Sequence, residues 1–155
     1  EESEARYRTL ADHSNDIIMN LDVDGTILFV SPAIEQLAGY DPDSLVGTPC
    51  IEMIAPEHRA NVIDVHRRTM QSRRLGQKVE YLGILKDGSR AWFETQTRAV
   101  VDYDDRITGV VSVIRDIAER KQLEASLADA AVRDPLTGVL NRRGFMRELE
   151  TAALD

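Results

Sequence analysis

The sequence predicts an α+β domain, a five-stranded antiparallel sheet with helices on one face, plus an N-terminal helix and a C-terminal linker helix. Three observations predict it. Two strand-like runs flank an Asp-Gly turn, a Pro- and Gly-punctuated helical stretch follows, and three further strand-like runs close the domain. The last three are joined by connections too short for parallel crossovers, so their neighbours must be antiparallel.

Taken in order, residues 3–13 place Tyr7, Leu10 and Ala11 at i, i+3 and i+4 among charged neighbours. That spacing predicts a short amphipathic helix ending near Ser14 and Asn15, and residues 1–15 are assigned as a capping helix. Asp16 to Leu21 and Thr26 to Val30 are rich in β-branched and apolar residues, and the Asp22-Val23-Asp24-Gly25 segment between them favours a tight hairpin. From Ser31 to about Ile54 turn formers recur. Ser31-Pro32 reads as an N-cap and first-turn pair for a helix through Leu37, and Asp41-Pro42 starts another single turn. Pro56 opens a longer helix to about Ser72, with Val62, Val65, His66 and Thr69 or Met70 along one side.

Lys78 to Leu85, Arg90 to Val101 and Ile107 to Ile114 are the remaining strands, separated by Lys86-Asp87-Gly88 and by an acidic turn over Asp102 to Asp105. In the second of them Phe93, Thr95, Thr97 and Ala99 alternate with Glu94, Gln96 and Arg98, which assigns two faces. The core is therefore 16–116. Residues 117–133 form a helical linker, since Ala118 to Val132 contains no Gly or Pro and is rich in strong helix formers. Leu123, Leu127 and Ala130 fit a coiled-coil seam, although Arg120 and Asp134 occupy its flanking positions.

Composition excludes several functions. With 27 acidic against 19 basic residues, the net charge of −8 argues against nucleic acid, whose phosphates require concentrated Lys and Arg. The densest basic group, Arg67, Arg68, Arg73 and Arg74, reads as a solvated helix face. The single cysteine, Cys50, rules out an intramolecular disulfide and suits a reducing compartment, so a cytoplasmic location is expected. No run approaches the ~18–20 apolar residues of a membrane span, so no membrane contact is expected of this chain, although segments upstream of it could anchor a longer protein.

Several segments carry a resemblance. Leu21-Asp-Val-Asp-Gly-Thr-Ile-Leu-Phe-Val-Ser-Pro-Ala33, Leu37-Ala-Gly-Tyr40, Leu45-Val-Gly47, Lys86-Asp-Gly-Ser89 with Trp92, and Arg115-Asp-Ile-Ala-Glu-Arg120 resemble, in order and spacing, the PAS (PAS/PAC) sensor family over residues 3 to 120. The resemblance implies a PAS fold acting as a sensory, dimerising module. A second segment, Asp134-Pro-Leu-Thr-Gly-Val-Leu-Asn-Arg-Arg-Gly-Phe145, looks like the opening of a GGDEF (diguanylate cyclase) domain, so 134–155 is assigned as the truncated start of one. The implied parent makes cyclic di-GMP from GTP. A parent combining GGDEF with a phosphodiesterase domain is the alternative output.

The resemblance also sets the expectations for chemistry. The GGDEF signature loop and its magnesium carboxylates lie beyond the opening segment, so no catalytic and no metal-binding residue is assigned and the chain itself is not an enzyme. A haem would need an axial ligand from His13, His58 or His66, but Val62 occupies the family's ligand position. Cys50 stands where flavin-binding relatives carry a photoreactive cysteine. The polar residues that read the flavin ring are nevertheless replaced by Ile54, Gly83, Phe93 and Ile114. The expectation is therefore no haem and no flavin, with a cofactor-binding gas, redox or light receptor as the alternative and Cys50 as a packing residue. Candidate pocket residues are Val62, His66, Tyr81, Gly83, Phe93 and Thr95, which would take a small-molecule ligand or fill a core. Signal transfer is assigned to Asp116, Ile117, Leu123 and Leu127 within a homodimer. Trp92, of opposite parity to Phe93, is expected on the outer face of the sheet.

Overall fold

The computed structural model describes residues 15–72, 76–132 and 146–147. The expected helix over 1–15 and the segment 134–155 lie outside the described residues, apart from Asn15, Met146 and Arg147. Strands β1 (Ile17–Asp22) and β2 (Ile27–Val30) form the first hairpin. Its turn is tied by the Asp22 carboxylate, whose Oδ1 accepts from the N–H groups of Asp24 and Thr26, both at 2.9 Å. Gly25 sits at φ 86°, a conformation that a side chain would strain.

Three short helical pieces follow: α1 (Ala33–Ala38), α2 (Pro42–Leu45) and a 3₁₀ turn (Cys50–Met53). Gly39 at φ 82° ends α1, its N–H donating back to the carbonyls of Ile34 and Glu35. Asp41 caps α2 as the sequence predicts, accepting from the Asp43 N–H. Ser31 does not cap α1. Pro32 holds that position without a side-chain bond, and the fully buried Ser31 hydroxyl accepts from the Ile18 N–H at 2.9 Å. A buried strand amide has no water to fall back on, whereas a helix end can leave orphan donors to solvent.

The long helix α3 (Pro56–Gln71) then leads to β3 (Gln77–Ile84), β4 (Arg90–Val101) and β5 (Ile107–Asp116). The sheet is antiparallel throughout, in the order β2-β1-β5-β4-β3. β2 and β3, which the helical stretch connects, are the two edges. The chain between them must therefore cross the sheet, and α3 packs on β3, β4 and β5. β5 runs two residues past the expected Ile114 because β4 offers partners there: Arg115 pairs with Glu94 and Asp116 with Phe93.

Alternation in β4 is as the sequence predicts, with Phe93, Thr95 and Thr97 buried and Gln96 and Arg98 exposed. Glu94 departs from it. It is 9% exposed despite outward parity, held by the Lys78 ammonium at 3.1 Å. The basic group on α3 behaves as a solvated face where it is described, Arg67 and Arg68 both pairing with Asp64. The chain divides after Ile117 into two units. The second contains α4 (Ala118–Val132), whose bounds match the sequence reading and whose Leu123 and Leu127 are 58% and 71% exposed.

Candidate functional site

Strand parity and the crossing helices create the site. Side chains at alternate positions of β1, β3, β4 and β5 rise toward α3 and the 3₁₀ turn, and between the layers lies a cavity of about 210 Å³. All six residues expected from sequence line it: Val62 and His66 from α3, Tyr81 and Gly83 from β3, Phe93 and Thr95 from β4. The sequence reading missed the contribution of β1, where Ile17, Met19 and Leu21 line the wall, and of β5, where Ser112 does. The signal was available in the alternation of the first strand. Local pattern does not show that β1 lies beside β5 in the middle of the sheet.

Most of the wall is aliphatic or aromatic. Phe93 and Tyr81 pair directly across β3 and β4, ring centroids 6.2 Å apart. The polar groups form a strip on the sheet that is met by Thr69 from α3. Thr95 Oγ1 donates to Tyr81 Oη at 3.2 Å, and Thr69 Oγ1 donates to the Val65 carbonyl while lying 2.7 Å from Thr97 Oγ1. Ser112 pairs across β4–β5 with Thr97 and is 3% exposed. Burial pushes the Tyr81 phenol up to about 12, the Thr95 bond opposing only partly, so the ring keeps its proton throughout the neutral range.

Among the described residues, the charged or basic side chains at the cavity are Asp24 and His66, both at its rim. Asp24 is exposed, and His66 Nε2 lies 3.0 Å from the Val23 carbonyl of the β1–β2 turn. Cys50 packs against the apolar core, and burial raises its thiol to about 11, against a smaller lowering by a backbone hydrogen bond. A thiol so protonated is a poor nucleophile. No group of three metal-ligating side chains occurs among the described residues.

The far end of the wall leads out of the domain. Phe93 is the register partner of Asp116, and the carbonyl of adjacent Trp92 accepts the N–H of Ile117 at 3.1 Å. Ile117 is 4% exposed, while Asp116 beside it is exposed. Trp92 is half-buried, and its ring meets that of His58 edge-on at 5.4 Å.

The model of the PAS fold matches residues 5–117. The chain belongs to the PAS family. Sensor histidine kinase TmoS of Ectopseudomonas mendocina is 26% identical over 81% of this chain and 13% of its own length. Diguanylate cyclase DgcM of Escherichia coli K12 is 39% identical over 43% of this chain and 16% of its own. The crystal structure of a PAS domain from Colwellia psychrerythraea superposes with a TM-score of 0.68 at 21% identity, covering 77% of this chain and all of that one. This PAS chain thus spans only a small part of the signalling proteins it resembles. A sensory, regulatory role follows from the family, and the PAS domain is not itself catalytic. No described helix is long and apolar enough to cross a membrane.

Proposed function

We propose that this PAS domain is the sensory and dimerising module of a diguanylate cyclase, and that occupancy of its cavity biases the helix leaving β5. The observation that carries the reading is the double link at Phe93 and Trp92: one is cavity wall and partner of Asp116, the other holds the Ile117 amide. A displacement of β4 by a ligand is thereby felt at the first residue of the joint. For this to switch an output, the ligand must bind two arrangements of the joint with different affinity. Leu123 and Leu127, exposed on α4, supply an apolar seam for a second copy. Similarity to DgcM and the Asp134–Phe145 motif support the cyclase as the output.

The reading assigns neither haem nor flavin to the cavity. Val62 rather than histidine faces the cavity one turn before His66, whose Nε2 is already engaged at the rim. The flavin-reading positions are Ile54, Gly83, Phe93 and Ile114, none with a side chain that can hydrogen-bond a ring edge. At about 210 Å³ the cavity is also below the roughly 300 Å³ where pockets for drug-sized ligands begin.

The test uses the intact protein with linker residues 117–133 lengthened by two residues or by a full heptad. Helical coupling predicts that cyclic di-GMP formation changes with the two-residue insertion and returns with the heptad. Equal rates in all three proteins would exclude it. A Soret or flavin absorbance band in freshly purified protein would overturn the ligand reading.

A further inference from the structure

The cavity wall is selective in its polar groups, and their donors and acceptors can be counted. Thr69 spends its proton on the Val65 carbonyl, so Thr97 can donate to Thr69, and Thr95 donates to Tyr81. Two hydroxyl protons are left over. The Tyr81 phenol accepts from Thr95 but gives its own hydrogen to no described residue. The Ser112 hydroxyl, on a side chain 3% exposed, has no hydrogen-bond partner among the described residues. Both residues line the cavity, so a guest there can supply acceptors to the two unspent hydroxyl protons.

Charge and size narrow the guest further. Among the described residues no lysine or arginine lines the cavity, and the one acidic residue that does, Asp24, is at the rim. An ionised ligand would shed its hydration there without a counter-ion, which is strongly unfavourable. The volume of about 210 Å³ lies between the ~150 Å³ of a cavity that admits benzene and the lower bound for drug-sized ligands.

We infer that the domain selects uncharged organic molecules of about one ring or an equivalent short chain bearing a hydrogen-bond-accepting oxygen, and that Ser112 and Tyr81 are the specificity-determining donors. The inference rests on the cavity being the ligand site. Apolar surface holds the hydrocarbon part by area, and the hydroxyls discriminate by leaving a pure hydrocarbon to bury two unsatisfied donors.

Three planar probes of nearly equal size separate the terms: acetophenone, which is neutral with an acceptor oxygen; 2-phenylpropene, which lacks the oxygen; and benzoate, which is charged. Binding is read by ligand-observed NMR titration of the whole chain. Acetophenone is expected to bind roughly fivefold or more tightly than 2-phenylpropene, with benzoate undetected at the same concentrations. Ser112→Ala with Tyr81→Phe should erase the preference by raising 2-phenylpropene affinity, because no unsatisfied donor is then buried beneath it, and that tighter binding also shows that the double variant is folded. Equal binding of acetophenone and 2-phenylpropene, a preference that survives the double substitution, or benzoate as the best binder would overturn the ligand class while leaving the cavity as a ligand site. Binding of none of the three would overturn both.

Discussion

The ring of Phe93 lies over Gly83 so closely that a Cβ on the glycine would stand 2.8 Å from Phe93 Cδ2. The two are diagonal neighbours on the inner face of β3 and β4, and a glycine there leaves the ring room to lie against the strand. Gly83→Ala should push the ring into the cavity and destabilise the domain by about 1–3 kcal/mol, measured by urea unfolding. Pairing it with Phe93→Leu should recover part of the loss, because the smaller side chain can retreat.

Gly109 presents a harder constraint. A Cβ there would lie 2.1 Å from the Leu21 carbonyl oxygen, and backbone in the middle of a sheet cannot retreat as a side chain can. Gly109→Ala should therefore cost more than Gly83→Ala, at least about 3 kcal/mol, by forcing apart the pairing of β1 and β5. The comparison is made in the same unfolding series. A milder effect at Gly109 would mean that the β1–β5 register yields.

Ser31 closes β1 onto the chain that leaves β2, its N–H donating to the Ile18 carbonyl at 2.8 Å and its hydroxyl accepting from the Ile18 N–H. Ser31→Ala removes the fully buried hydroxyl that accepts from the Ile18 N–H and should destabilise by about 1–3 kcal/mol. Were Ser31 a helix cap, Ser31→Asp would be tolerated. In its buried place the charged side chain should be worse than alanine.

Alkaline pH should weaken the fold through Cys50 and Tyr81. Burial raises their folded pKa values to about 11 and about 12, whereas an unfolded chain titrates them near ~8.5 and ~10. A group raised in the folded state contributes stability that is complete below its unfolded value and is lost as pH rises through its folded one. Melting temperature should fall above pH ~8.5, and Cys50→Ala should flatten the first part of the decline, a difference on the order of 2 kcal/mol by pH ~11. The same burial predicts that Cys50 reacts with iodoacetamide at neutral pH roughly a hundredfold more slowly than an unperturbed thiol.

Much of this architecture was legible because its signals are local. The Asp22–Gly25 turn, the alternation from Phe93 to Thr97 and the unbroken helix-forming run from Ala118 each declare their structure within a few residues. Long-range decisions were not legible in that way. That Ser31 serves β1 rather than α1 depends on Ile18, thirteen residues upstream. The extension of β5 to Asp116 depends on unused partners at Phe93 and Glu94. Strand parity and the family resemblance together named six cavity residues, but parity assigns a face and not a neighbour. Ser112 escaped notice because an isolated serine in a strand looks polar and ordinary until Thr97 and Met19 are found on either side of it.

The exposure of α4 has an energetic corollary. At 15 residues, with its leucines in solvent, it has the length at which isolated helices are barely stable in water. A peptide of residues 117–133 should accordingly show little circular dichroism at 222 nm on its own. The free energy that orders the segment must come from whatever covers it, so helical order in the joint is a measure of association.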